Sequence, residues 1–231
     1  MIDNIKAIVF DADNTIVDHK DCERQALEYV FKNIEIEYKS EYQDIFRPLD
    51  RNLWDGIPVN GKVVPKELVP EYRFEELFRL LDIDFSDYKK ANDLYHYGLE
   101  HSVALLENVD DVMEYLYNKG YRLFVATNGL IRLQKPRITN SSIFKYITDI
   151  IISEEVSLDK PNREIFDVLF ERNSINPSEA IMIGDNLEKD IQGAKNVGIQ
   201  SIWYNPTKKE NDTSIIPDFE ISNLLELKNL F

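Results

Sequence analysis

Two aspartates one residue apart, Asp11 and Asp13, stand near the start of this chain in Phe10-Asp11-Ala12-Asp13-Asn14-Thr15. Two more, Asp185 and Asp190, lie in Gly184-Asp185-Asn186-Leu187-Glu188-Lys189-Asp190, and between the pairs come Thr127-Asn128-Gly129 and Lys160-Pro161. Singly, each has a plain structural reading. Asp-x-Asp occurs as a turn or a helix cap, the two Gly-containing runs occur as turns, and a lysine before proline is a solvated loop residue. Together they imply chemistry. Carboxylates that converge repel one another unless one is protonated or a cation joins them. Hard oxygen ligands of this kind suit Mg²⁺, which keeps several waters and takes only a few carboxylates.

The elements that must carry these residues alternate in type. Short apolar or β-rich runs at 5–10, 121–126, 149–152, 180–183 and 200–204 read as buried parallel strands. Helical spacing appears over 109–119 (Val109, Val112, Met113, Leu116, Tyr117, stopped by Gly120), over 162–172 (Ile165, Phe166, Leu169, Phe170) and over 187–197, before Gly198. The expected fold is α/β, a Rossmann-like parallel sheet core with helices on both faces. In such sheets ligands bind beyond the carboxyl ends of the strands. Each chemical group named above lies just after a strand or in the loop beyond one, and that order raises the four weak signals above chance. A polar loop over 205–214, a short strand at Phe219 and Ile221 and a helix carrying Leu224, Leu225 and Leu227 close the chain.

One stretch breaks the alternation. Between residues 18 and 101 there is no convincing strand. Cys22, Ala26, Val30 and Ile34 form one helical stripe, Leu77, Phe78 and Leu81 a second, and Tyr88, Ala91, Tyr95 and Leu99 a third, with a loop at Gly56, Pro58 and Gly61. This is too long for a βα connection. The expectation is a core of 1–17 and 102–231 with an inserted helical cap at 18–101.

Charge and composition narrow the partners. Among 231 residues, 42 acidic against 27 basic side chains give a formal net charge of -15, which disfavours non-specific binding to nucleic acid or anionic membranes. One cysteine, Cys22, excludes a disulfide framework or a cysteine-rich zinc site. The start lacks the basic and apolar regions of a signal peptide, and no run approaches the roughly 18 apolar residues of a membrane span. A cytoplasmic monomer or homodimer is expected. An anionic substrate needs a local cation to enter so acidic a molecule.

The four groups also carry a family resemblance. Val9-Phe10-Asp11-Ala12-Asp13-Asn14-Thr15 resembles the first motif of the haloacid dehalogenase-like hydrolases, Val125-Ala126-Thr127-Asn128-Gly129 the second, Lys160-Pro161 the third and Ile183-Gly184-Asp185-Asn186-Leu187-Glu188-Lys189-Asp190 the fourth. They occur in the family's order across nearly the whole chain, and the insertion is similar to the helical cap of its first subgroup. The resemblance implies a small phosphorylated metabolite as substrate. It implies Asp11 as nucleophile, attacking phosphorus to form an aspartyl-phosphate, and Asp13 as general acid and then base. Thr127, with the N–H groups of Asn128 and Gly129, would hold the phosphoryl oxygens, and Lys160 would offset charge. Asp11, the backbone carbonyl of Asp13 and Asp185 would ligate Mg²⁺, while Asp190 orients Lys160 or a metal-bound water. Dehalogenases need no acid at position 13 and the transport ATPases have Thr there, so Asp13 points to a phosphatase or phosphomutase.

The insert resembles, in 46–54 and 68–78, the cap of the branch that hydrolyses pyrimidine nucleoside 5′-monophosphates. Ser157-Leu158-Asp159 stands where that branch more often has a glycine-containing turn. Trp54 could stack on a base, or with Phe46 simply pack the cap. Cys22 and the three histidines, His19, His96 and His101, are expected to be structural. Two other readings stay open: a phosphosugar phosphatase or phosphomutase, and a non-catalytic acidic interaction module.

Overall fold

The computed structural model describes Ile2 and residues 4–231; Met1 and Asp3, at the start of the expected core segment, lie outside the described residues. Six strands, β1 (Ala7–Phe10), β2 (Arg122–Thr127), β3 (Ile147–Ile152), β4 (Ala180–Gly184), β5 (Gln200–Tyr204) and β6 (Phe219–Ile221), form one sheet in the order β3-β2-β1-β4-β5-β6. All five neighbouring pairs are parallel. The chain runs outward from β1 through β2 to β3 and then crosses to β4 on the other side of β1. That reversal opens a crevice at the carboxyl ends of the strands. Phe10 pairs with Val125 of β2 and Ile183 of β4, so Asp11 is level with Ala126 and Gly184. The register alone therefore brings the first, second and fourth motifs side by side.

Two compact units account for the chain, Met1–His19 with Val103–Phe231, and Lys20–Ser102. The second unit is built from α1 (His19–Asn33), α2 (Glu41–Trp54), α3 (Val69–Leu80) and α4 (Tyr88–His101). The sequence showed three of these stripes. α2 escaped because Pro48 sits inside it and charged residues crowd its apolar positions Phe46, Leu49 and Leu53. Inside this unit Phe46 packs against Phe74 and Tyr95 at ring distances of 5.7 and 5.2 Å. Arg73 lies 4.5 Å over Tyr95 and donates to Asp50 and Asn92 at 3.0 and 2.7 Å, which offsets much of the cost of burying its charge. Cys22 is buried, as expected.

In the sheet-containing unit the helices are α5 (Val109–Asn118), α6 (Ile131–Thr139), α7 (Ser153–Val156), α8 (Glu164–Asn173), α9 (Gln192–Val197) and α10 (Leu227–Leu230). Alternation across the sheet explains its two dry faces. Ala7, Val9, Phe124, Ala126, Ile151 and Met182 pack with Ile165, Phe166, Leu169 and Phe170 of α8 and Ala194 of α9. Their alternates Ile8, Phe10, Leu123, Val125, Ile181 and Ile183 are equally inaccessible. A sheet covered on both faces leaves only its strand ends for chemistry. The expected single helix over 187–197 divides into a π-helical turn, Leu187–Ile191, followed by α9. No helix among the described residues is long and apolar enough to cross a membrane.

Candidate active site

Asp11 ends the first strand without leaving the sheet: its N–H still donates to Ile183 O at 2.9 Å. The chain then turns tightly, with Asn14 at φ +62° and the Ala12 carbonyl accepting from the N–H groups of Thr15, Ile16 and Val17 at 3.3, 3.0 and 2.8 Å. The turn leaves Asp11 almost buried, and Thr15 Oγ1 donates to its Oδ2 at 3.4 Å.

Lys160 is the centre of the site. It is 3% exposed, and its Nζ donates to Asp11 Oδ1 at 2.6 Å, Asp190 Oδ1 at 2.7 Å and Ala126 O at 2.7 Å. An ammonium has three protons, and all three are used. Burial alone would lower the Lys160 pKa, but Asp11 and Asp190 outweigh it and raise it. The loop that delivers Lys160 is anchored by Asn128, whose side-chain amide donates to Lys160 O at 3.1 Å and accepts from Lys160 N at 2.8 Å. Ser157, at φ +58°, makes the left-handed turn that opens this loop.

Asp190 reaches Lys160 only because residue 184 has no side chain. A Cβ on Gly184 would lie 2.3 Å from Asp190 Oδ2, and that oxygen also accepts from Asn186 N at 3.0 Å. The Asp185 carbonyl accepts from the Trp203 indole at 2.9 Å, fixing the neighbouring turn. Gly184→Ala is therefore expected to drive Asp190 off Lys160. Lys160 would keep Asp11 and Ala126 O as partners, so the loss is that of forcing a side chain into filled space, about 1–3 kcal/mol, measurable by chemical denaturation. A loss below about 1 kcal/mol, the size of an ordinary substitution, would show that Asp190 does not need that space.

Carboxylate oxygens of Asp11, Asp185 and Asp190 lie within 4.8 Å of one another. Burial pushes Asp11 up to about 8, against Lys160 and with help from Asp190 and Asp185. Burial and then Asp190 push Asp185 up to about 6. Three carboxylates facing one ammonium leave an excess of negative charge that a hard divalent cation would neutralise, and the all-oxygen donor set fits Mg²⁺.

Asp13 faces different company. Its Oδ2 accepts from Gln134 Nε2 at 2.7 Å, and its Oδ1 lies 2.8 Å from Arg137 Nη2 and 3.3 Å from His19 Nδ1. Burial pushes this carboxyl up, yet Arg137, then His19, with the Gln134 amide, outweigh it and hold it well below the usual range. His19, expected to be structural, therefore lies beside Asp13. The other two histidines stay within the helical unit: His96 lies 3.1 Å from Arg73, and His101 stacks on Tyr97.

At the end of β2, Thr127 is buried, with Oγ1 3.4 Å from Asn128 O. The N–H of Gly129, an expected phosphate donor, donates to Ser153 Oγ at 3.0 Å. Ser153 begins α7, right after β3, a position the sequence reading passed over. Trp54, at the end of α2, is 40% exposed.

Comparison with known proteins follows the same lines. A family model described as haloacid dehalogenase-like hydrolase matches residues 8–204. The pyrimidine 5′-nucleotidase PynA of Streptococcus pneumoniae is 30% identical over 226 residues, covering 96% of this chain and 93% of its own length. The pyrimidine 5′-nucleotidase YjjG of Escherichia coli is 28% identical, covering 96% of each chain. Among solved structures, the HAD-hydrolase YfnB of Bacillus subtilis bound to magnesium superposes with a TM-score of 0.87 at 28% identity, covering 98% of each chain.

Proposed function

The chain belongs to the haloacid dehalogenase-like hydrolases, and from that membership we propose a Mg²⁺-dependent phosphatase that acts on nucleoside 5′-monophosphates through an aspartyl-phosphate on Asp11. The observation that carries this reading is the buried Asp11 held 2.6 Å from Lys160 beside Asp185 and Asp190, with a separate carboxyl, Asp13, in a different setting two residues on.

Each residue has work that its position allows. An Asp11 carboxylate oxygen bonds to phosphorus as the bond from phosphorus to the leaving oxygen breaks. Arg137 and His19 hold Asp13 well below the usual carboxylate range, so it must first take up a proton; it gives that proton to the leaving oxygen and regains one from the water whose oxygen attacks phosphorus and frees Asp11 with release of inorganic phosphate. Thr127 Oγ1 and the Asn128 N–H hold the phosphoryl oxygens, and Lys160 offsets their charge. Asp11, Asp185 and the Asp13 carbonyl would hold the metal. When bound, Mg²⁺ supplies Lewis-acid stabilisation of charge on the phosphoryl group. Asp190 keeps Lys160 in place.

Nucleotide choice is assigned to the helical unit, and the half-exposed Trp54 is the proposed base-stacking residue. The nucleotidase relatives support the substrate class. A panel of phosphomonoesters assayed with Mg²⁺ is expected to give a higher kcat/KM for nucleoside 5′-monophosphates than for hexose phosphates. Trp54→Ala is expected to raise KM for nucleotides more than for 4-nitrophenyl phosphate, with kcat spared, because ground-state binding is what stacking supplies. Equal effects on the two substrates would assign Trp54 to packing. A preference for hexose phosphates would move the enzyme out of the nucleotidase branch.

A further inference from the structure

The surroundings of Asp13 contain a closed arrangement that the reaction scheme has not used. Gln134 and Arg137 are three residues apart on α6 and so share one face. Arg137 Nη1 donates to Gln134 Oε1 at 3.3 Å, Gln134 Nε2 donates to Asp13 Oδ2 at 2.7 Å, and Arg137 Nη2 pairs with Asp13 Oδ1 at 2.8 Å. Arginine can only donate. Its contact with Oε1 therefore settles which end of the glutamine amide meets Asp13. Both side chains are buried, so neither is a surface residue that happens to lie near.

Gly129 makes room for this triangle. At φ +139° it adopts a backbone that other residues avoid, and a Cβ there would lie 3.1 Å from both Cγ and Nε2 of Gln134. With its N–H bonded to Ser153, this glycine is placed to let Gln134 pass to Asp13.

We propose that Gln134 and Arg137 are the positioning residues of the acid–base group, fixing one carboxylate oxygen of Asp13 each. This rests on the phosphatase reading above. The Gln134 hydrogen bond alone would leave the carboxylate free to turn about its last torsion, whereas the Arg137 guanidinium, ion-paired with the other oxygen at 2.8 Å, holds its plane. Oδ1 faces His19 Nδ1 at 3.3 Å as well as Arg137, so the second lone-pair direction of Oδ2, beside its bond from Gln134, is the one that serves the travelling proton. The same fixed group then protonates the leaving oxygen in the first half-reaction and deprotonates the water in the second. Neither residue touches the reacting atoms; apart from Asp13, Gln134 Nε2 donates to Asn128 O at 3.4 Å and Arg137 Nη2 lies 3.5 Å from His19 Nδ1, and the leaving-group comparison isolates the part that passes through Asp13.

Leaving groups of different basicity separate this role from a merely structural one. 4-Nitrophenolate departs without a proton, while the alkoxide of a nucleoside needs one. The test uses the whole protein with Mg²⁺ and rapid-quench kinetics on Gln134→Met, which removes the donor and keeps the volume. Arg137→Lys and Arg137→Met follow. Phosphorylation of Asp11 by 4-nitrophenyl phosphate is expected to keep its wild-type rate and give a burst of 4-nitrophenol equal to the enzyme. Steady-state turnover after the burst is expected to fall by roughly 10²-fold, the cost of a misplaced catalytic group. With a nucleoside 5′-monophosphate the phosphorylation step itself should fall by a similar factor while KM holds. Arg137→Lys should retain more activity than Arg137→Met. Equal slowing of phosphorylation with both substrates, or no slowing with either, would overturn the proposal. If Arg137→Met fails to fold, Gln134→Met still decides. Absence of any phosphoenzyme in the wild-type protein would overturn the reading beneath it as well, and it is told apart because it shows before any substitution is made.

Discussion

Asp11→Asn is expected to lose turnover by roughly 10³-fold or more, since an amide offers no anionic oxygen to phosphorus while filling the same space. The fold should survive, and its response to pH should change in a defined direction. Asp11 is pushed up to about 8 in the folded chain, mainly by burial. A carboxyl raised in this way contributes stability that is fully present below its unfolded pKa and is lost as pH rises through the folded one. The metal-free protein should therefore lose stability between about pH 4 and pH 8 on account of this residue. Asparagine carries no such penalty. Metal-free Asp11→Asn should melt at or above the parent at pH 8, and the difference should shrink toward pH 5. Lys160 keeps Asp190 and Ala126 as partners, so the substitution does not orphan it. Differential scanning calorimetry at the two pH values, with an activity assay on the same preparation, checks both halves. Residual turnover above about 1% of the parent, outside the range for a lost nucleophile, would remove Asp11 from its role.

What could be read from the chain and what could not divide along physical lines. The strands were legible because buried parallel strands are short apolar runs, and 180–183 carries that signal undiluted, while 200–204 carries it in Ile202, Trp203 and Tyr204. The motif residues were legible because they follow those strands at once. The resemblance carried the third motif, since nothing local marks Lys160 as buried rather than solvated. Its burial depends on three acceptors, one at each of positions 11, 126 and 190, that meet only when β1, β2 and β4 lie side by side.

The support around Asp13 was invisible for a related reason. α6 reads Ile-Arg-Leu-Gln-Lys-Pro-Arg-Ile-Thr, polar with a proline inside, and presents no clear apolar stripe to mark it as a helix. Gln134 and Arg137 look like solvent-facing residues until the fold places them more than a hundred positions back along the chain, beside Asp13. The partner of the Gly129 N–H was hidden in the same way. The resemblance assigns that N–H to the phosphoryl group, and the residue it meets in the fold, Ser153, comes from the following strand's end.

Removing the metal is expected to abolish activity, and Asp185→Ala is expected to raise the Mg²⁺ concentration needed by 10-fold or more, about the 1.4 kcal/mol that a tenfold change in affinity represents. The cluster explains why. Asp11, Asp185 and Asp190 crowd their oxygens within 4.8 Å, and Lys160 neutralises only part of their charge. The cation is thus bound by groups that are costly to bring together without it. Binding to the folded chain alone stabilises it by mass action, so thermal unfolding should shift upward with Mg²⁺ in the parent and less in Asp185→Ala. Protons compete for the same oxygens. Because Asp11 and Asp185 are raised to about 8 and about 6, the Mg²⁺-induced shift should be larger at pH 8 than at pH 6, where more of the cluster is protonated. Titrating Mg²⁺ against melting temperature and against turnover at both values gives two independent readings of one site. Activity that persists unchanged after exhaustive chelation, or a melting shift that ignores Asp185, would place the metal elsewhere or nowhere in the reaction.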